Sequence, residues 1–242
     1  RDNGFGIEIT GGKNLPELRA AIAPFVLRRR KADVLKDLPP IRFAELPFSS
    51  DFKMPADVAA LVPEVEKALA EDGIDGLKKV ASHVASLRRI TGLAKVGPAS
   101  EWIRDALDGG IEKLVVFAYH REVLQALCVD AAKHGIGYAC ITGATTDRQE
   151  EVDRFKNSGV CRVFFGQVTA AGTGINLTSA SHLVLLEQSW VPSDNEQAVM
   201  RIHRIGQNRA CLVRVASLAG SIDERISRAV IRKLETLNAL WG

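Results

Sequence analysis

From Lys113 onward this 242-residue chain repeats one pattern, a short run of Val, Leu, Phe and Ile followed by a longer amphipathic stretch of helical period. Runs that are apolar on both faces suit the interior strands of a parallel sheet, and the stretches between them are long enough to be covering helices. Strands are expected at residues 114–118, 138–141, 163–166, 183–186 and 212–217, and helices at 122–134, 146–157, 194–204 and 222–240. Capping boxes beginning at Thr146, Ser193 and Ser221 mark helix starts. In open sheets of this kind ligands gather beyond the carboxyl ends of the strands, so the chemistry-bearing residues are expected at that edge.

Upstream the pattern differs. A helix carrying the basic run Arg28-Arg29-Arg30-Lys31 should stop at Pro39-Pro40, and residues 41–48 alternate enough to form a strand. Residues 52–108 read as helices, with Ile74, Leu77, Val80, Val84 and Leu87 as a buried stripe and Lys78, Lys79, Arg88 and Arg89 mostly off it. Gly97-Pro98 reads as a break.

A net charge of +3 permits a nucleic-acid partner without requiring one. Cys128, Cys140, Cys161 and Cys211 are far apart in sequence and form no Cys-x-x-Cys pair, which argues against a zinc site or a disulfide framework and fits a reducing compartment. There is no apolar run of membrane-spanning length and no signal peptide, and a start at Arg1 rather than Met reads as a piece of something longer.

The most informative stretch is Gln197-Ala-Val-Met-Arg-Ile-His-Arg-Ile-Gly-Gln207. On a helix, Gln197, Arg201 and Arg204 would share one face, with Ala198, Ile202 and Ile205 as the apolar stripe beside it. Neighbouring guanidiniums repel unless an anion lies between them, and phosphate matches their planar forks. A basic helix facing solvent is the plainer alternative. Thr142-Gly143, after an expected strand, offers a hydroxyl and an approachable amide to a phosphate oxygen, or is simply a turn with a glycine. Thr169-Ala-Ala-Gly172-Thr-Gly174-Ile-Asn176 lets the backbone pass close to a ligand, yet it is neither a Walker loop nor a dinucleotide fingerprint. His120, at a strand end, is a weak candidate.

Gln197, Ala198, Arg201, Arg204, Ile205, Gly206 and Gln207 resemble motif VI of the Swi/Snf-type ATPases, a branch of helicase superfamily two that moves along double-stranded DNA using ATP. Tyr119-His120-Arg121 resembles motif IV, the stretch from Thr169 to Asn176 resembles motif V, and Glu187-x-x-Trp190-x-Pro192 resembles the element before motif VI. Arg28, Arg29, Lys31, Asp33, Val34 and Leu38-Pro39-Pro40 resemble the end of the family's first motor lobe. Residues 87–95 with Trp102 and Ile103, and the Ala170-Ala171 pair, resemble the annealing-helicase-like branch. The chain departs from the family at Thr169, Ala171, Glu187, Val191 and Met200.

The resemblance implies an α/β fold, a RecA-like parallel sheet flanked by helices with an N-terminal helical linker and protrusion. Residues 1–50 would be the end of the first lobe and the linker, 51–108 the protrusion, and 109–242 the second RecA-like lobe. ATP would bind between lobes near Gly172, Gly174, Asn176, Gln197, Arg201 and Arg204, with Arg201 and Arg204 catalytic. Duplex DNA would be held through its phosphates by Thr142, Gly143, Thr169, Arg88, Arg89 and Trp190. The sequence has no Gly-x-x-x-x-Gly-Lys-Ser/Thr and no Asp-Glu-x-His box, so ATP and Mg2+ would be held mainly by the first lobe, and this chain alone is expected to be inactive. The expected setting is nuclear, or cytoplasmic in a bacterium or phage system, neither secreted nor at a membrane. A non-catalytic DNA-binding or regulatory module that kept the fold is the alternative. A dinucleotide-binding oxidoreductase domain ranks far below, because Tyr119-His-Arg-Glu lacks the glycines of a pyrophosphate turn.

Overall fold

The computed structural model describes Ala21, Pro24 and residues 37–170, 174–189 and 192–241, and one compact unit spans Asp37–Leu240. The basic run at 28–31, Gly172 and Trp190 lie outside the described residues.

The strands are β1 (Ile41–Phe48), β2 (Leu114–Ala118), β3 (Gly137–Ile141), β4 (Cys161–Gln167), β5 (His182–Leu185) and β6 (Cys211–Leu218). They form one six-stranded sheet in the order β1-β6-β5-β2-β4-β3, with every pairing parallel. The helices are α1 (Ala56–Ala59), α2 (Val62–Gly76), α3 (Ala81–Asp108), α4 (Arg121–Lys133), α5 (Arg148–Asn157), α6 (Pro192–Val199) and α7 (Ile222–Trp241), with a 3-10 turn at Leu77–Val80. Successive strand side chains point to opposite faces. Leu114, Val116 and Ala118 of β2 therefore pack with Ala99 and Ile103 of α3 and Leu124 and Leu127 of α4. Val115 and Phe117 pack with Val152 and Phe155 of α5, Ala198 of α6 and Ile226 of α7 on the other face. Both faces of the sheet are thus covered, which accounts for the apolar central strands, and the fold is the expected RecA-like α/β sheet, with the helices expected ahead of it inserted between β1 and β2. Among the described residues no helix is long and apolar enough to cross a membrane.

Several local expectations are corrected. The helix runs unbroken through Gly97-Pro98, because Lys95, Ala99, Ser100 and Ile103 on either side of the proline are buried. That packing offsets the roughly 3 kcal/mol a proline costs inside a helix. Arg88 lies on the buried face of α3, since this helix meets the polar ends of strands as well as their apolar faces. The helix expected at 194–204 ends at Val199. Beyond it the carbonyl of Arg201 accepts the Leu177 amide at 3.0 Å and that of Ile202 accepts Gln207 Nε2 at 2.9 Å, so a tertiary partner and a nearby side chain replace the helical ones. Ser193 is inside α6 rather than capping it, and the preceding loop is tied instead by Asn195 Oδ1, which accepts the Ser189 amide. Asp147, not Thr146, caps α5 by accepting the Glu150 amide at 2.9 Å.

Candidate nucleotide and DNA interface

Because all strands are parallel, their carboxyl ends share one edge, and several expected site residues stand there. Thr142 and Gly143 follow β3, and Thr169 follows its neighbour β4. Gln167 Oε1 accepts the Gly143 amide at 3.1 Å while its Nε2 donates to the Tyr119 carbonyl. The Thr142 hydroxyl oxygen accepts the Ala144 amide, which fixes a small turn with Gly143 exposed. Thr169 is exposed as well.

At the same edge a buried polar cluster joins α3 to the sheet. Glu187, 2% exposed, accepts the amides of Tyr119 and His120 at 3.0 and 2.9 Å and the His120 ring Nδ1 at 2.7 Å. Arg88 donates from Nη2 to the Gln188 carbonyl and lies 4.3 Å over the Tyr119 ring. Burial lowers the Arg88 pKa, and the neighbouring Glu187, Tyr119 and Asp223 pull it back up. Expected to face DNA, Arg88 is instead buried here, where it ties α3 to the loop after β5. Arg89 is exposed and pairs with Glu122 at 2.9 Å. Farther along α3, Lys95 donates to Asp223 of α7 at 2.8 Å in a fully buried pair.

The arginine pair is not at this edge. Helix α6 leaves the carboxyl end of β5 and runs back across the sheet, so the turn after it lies toward the amino ends of β5 and β6. There Gln207 Nε2 donates to the carbonyls of Ala180 at 2.8 Å and Thr178 at 3.3 Å, just before β5 begins. His203 Nε2 donates to the Pro39 carbonyl, just before β1. Arg201 and Arg204 are half-buried, and Gln197, on α6, is exposed. Arg204 Nη1 donates to the Ile175 carbonyl at 3.4 Å. Burial first, and the positive charge of Arg204 second, lower the Arg201 pKa. Such a pair favours an anion beside it.

Thr169 stands at the carboxyl edge, and from Gly174 the described chain lies at the arginine turn, where the Ile175 carbonyl accepts Arg204 and the Leu177 amide donates to the Arg201 carbonyl. Gly174 has φ +58, a conformation side chains resist. Asn176 Oδ1 accepts the Thr178 amide at 3.1 Å, closing a turn beside the arginines.

Sequence reasoning missed the Glu187 cluster and His203. Arg88, Gly92 and Lys95 at i, i+4 and i+7 share one face of α3, a spacing that could have exposed the first. The cysteines are also not all apart in space. Cys128 of α4 and Cys140 of β3 hydrogen-bond each other, which pushes the Cys128 thiol up and the Cys140 thiol down.

Residues 100–206 match the helicase conserved C-terminal domain. The human DNA annealing helicase and endonuclease ZRANB3 is 29% identical over 227 residues, covering 93% of this chain and 21% of that protein. The SWI/SNF-related matrix-associated actin-dependent regulator of chromatin subfamily A-like protein 1 of Xenopus tropicalis is 30% identical, covering 96% of this chain and 25% of that protein. The Sulfolobus solfataricus SWI2/SNF2 ATPase core in complex with double-stranded DNA superposes with a TM-score of 0.58 at 25% identity, covering 93% of this chain and 51% of that one. This chain thus spans 21% to 25% of the length of these curated relatives.

A six-stranded parallel sheet carrying this domain is a helicase C-terminal lobe. Over residues 100–206 the chain carries the helicase conserved C-terminal domain, and over nearly its whole length it is similar to part of SWI/SNF-related proteins and of an annealing helicase, in line with the resemblance of its motifs.

Proposed function

We propose that this chain is the half of an ATP-dependent double-stranded DNA translocase that completes the nucleotide site and grips the DNA backbone. The observation that carries the reading is where the described residues on either side of 171–173 stand. At one end stands exposed Thr169, beside Thr142 and Gly143, and at the other Ile175 and Leu177 hold Arg204 and the Arg201 carbonyl. On this reading a nucleotide-driven shift of the arginine turn is passed along this stretch of sequence to the DNA-facing edge.

On this reading ATP lies between this lobe and the first RecA-like lobe of the same protein, near Gly172, Gly174, Asn176 and Gln197. Arg201 and Arg204 face the transferred phosphoryl group. Arginines in that role accelerate transfer by about a thousand- to a hundred-thousandfold, or roughly 4 to 7 kcal/mol of barrier. Among the described residues no group of His, Cys, Asp or Glu converges as a metal ion requires. Mg2+ is assigned, with most of the triphosphate, to the first lobe. Residues 1–50, 51–108 and 109–242 divide into linker, protrusion and motor lobe, except that β1 of the first stretch joins the lobe's sheet beside β6, and the isolated chain is inactive. The complete protein works where DNA is, in a nucleus or in a bacterial or phage-infected cytoplasm.

The test is DNA-stimulated ATP hydrolysis by the complete protein carrying Arg204→Lys. A lysine ammonium cannot reproduce the two-pronged fork, so turnover falls to background while DNA affinity stays within about twofold of wild type. Normal turnover in that variant sinks the assignment.

A further inference from the structure

Arg201 and Arg204 stand outside any helix, so their positions depend on what grips the turn between Val199 and Cys211. One grip comes from the strand side, through the Leu177 amide on the Arg201 carbonyl and Gln207 Nε2 on the carbonyls of Ala180 and Ile202. Another comes from far upstream. The imidazole of His203, a residue 6% exposed, bonds through Nε2 to the Pro39 carbonyl at 2.7 Å, across 164 positions of sequence. A carbonyl oxygen only accepts, so Nε2 carries the hydrogen.

The acceptor is stiff. Each proline ring fixes its own φ near about −65°, and Pro40 confines Pro39 to extended backbone. The Pro40 carbonyl accepts the Cys211 amide at 2.9 Å, and β1 then pairs with β6 from Ile41 opposite Cys211 onward. The diproline strut is therefore fixed at the point where the arginine turn ends. His203, the immediate neighbour of Arg204, is fixed to the same strut.

We propose that His203 is a positioning residue, which registers Arg204 against the diproline strut leading into this lobe, so that a displacement of the strut is passed to the guanidinium. This rests on the reading of Arg204 as the group that reaches ATP. A misplacement of about 1 Å in such a group costs up to about a hundredfold in rate. It leaves ground-state binding nearly untouched when the interaction is made chiefly in the transition state.

The experiment compares His203→Leu and His203→Gln in the complete protein, with Arg204→Lys alongside, measuring kcat and KM for ATP on duplex DNA and the melting temperature. Leucine removes the donor, whereas the glutamine amide carries an N–H at nearly the reach of Nε2. The expected result is a fall in kcat of about tenfold or more for His203→Leu with KM within about twofold, and recovery to within about threefold for His203→Gln. A kcat within twofold of wild type for His203→Leu overturns the proposal. So does an equal loss in both variants with a lowered melting temperature, which marks a packing role. If Arg204→Lys is inactive while His203→Leu is normal, the tie alone fails. If Arg204→Lys turns over normally, the motor reading fails with it.

Discussion

Gly92 of α3 faces Glu187 so closely that a methyl group on the glycine would stand 2.3 Å from the carboxylate Oε1 and 3.1 Å from Val123 Cγ2. Elsewhere an alanine would stabilise the helix by about 1 kcal/mol over glycine. Here the carboxylate cannot swing aside without releasing the amides of Tyr119 and His120 and the His120 ring. Overpacking costs about 1–3 kcal/mol, and charged hydrogen bonds lost in burial cost about as much again. The clash wins, and Gly92→Ala should destabilise the chain by about 2 kcal/mol in urea denaturation. An alanine variant as stable as wild type would mean that Glu187 is free to move.

The pair of Lys95 with Asp223 is buried to 1% and 6% side-chain exposure, and Asp223 Oδ2 also accepts the Leu218 amide. Lys95→Met leaves a carboxylate in the interior without its counter-charge, which costs about 3–5 kcal/mol. A double variant, Lys95→Met with Asp223→Asn, removes that uncompensated charge and should recover part of the loss. Equilibrium unfolding of both settles the comparison, and a single variant within about 1 kcal/mol of wild type would show the pair to be dispensable.

The thiols of Cys128 and Cys140 share a hydrogen bond that lowers the Cys140 pKa, whereas burial raises Cys161 and takes Cys211 up to about 11. The thiolate is the nucleophile, so a depressed pKa means reactivity that persists at lower pH. As pH rises from 6 to 9, iodoacetamide should label Cys140 before the other cysteines, as read by peptide mass spectrometry. Replacing Cys128 with Ala removes the donor and should shift Cys140 labelling to higher pH. Labelling that begins at Cys161 or Cys211 would contradict the order.

The sheet was legible because its central strands are apolar on both faces, a pattern with few other solutions, as at Leu114–Ala118, while Ile41–Phe48 forms at the edge as its alternation predicts. The arginine turn was less so. Gln197 through Arg204 has helical spacing, yet the Leu177 amide that takes the Arg201 carbonyl beyond Val199 is a tertiary partner and leaves no local mark. Arg88 misled for a similar reason. Beside exposed Arg89 it reads as part of a basic face, and its burial follows from where the ends of β2 and β5 fall against α3. The Cys128–Cys140 contact is likewise invisible at a spacing set by the α4-to-β3 crossover.

Arg89 tests whether α3 shares in the proposed DNA grip. Its pair with Glu122 leaves the side chains 54% and 55% exposed, and exposed pairs contribute about 0–1 kcal/mol, so exchanging Glu122 for a phosphate costs little. Each phosphate neutralised adds about 0.9 to the slope of log affinity against log salt. Arg89→Ala in the complete protein should therefore reduce that slope by about 1 on any duplex sequence. Thr142→Val should behave differently. It removes an uncharged hydroxyl beside Gly143, so affinity falls by about 1 kcal/mol, equally for unrelated duplexes, with the slope unchanged. Fluorescence anisotropy titrations over a range of salt concentrations separate the two effects. An unchanged slope for Arg89→Ala confines its pair with Glu122 to the protein surface, and a loss for Thr142→Val that depends on sequence would mean that this edge reads bases rather than backbone.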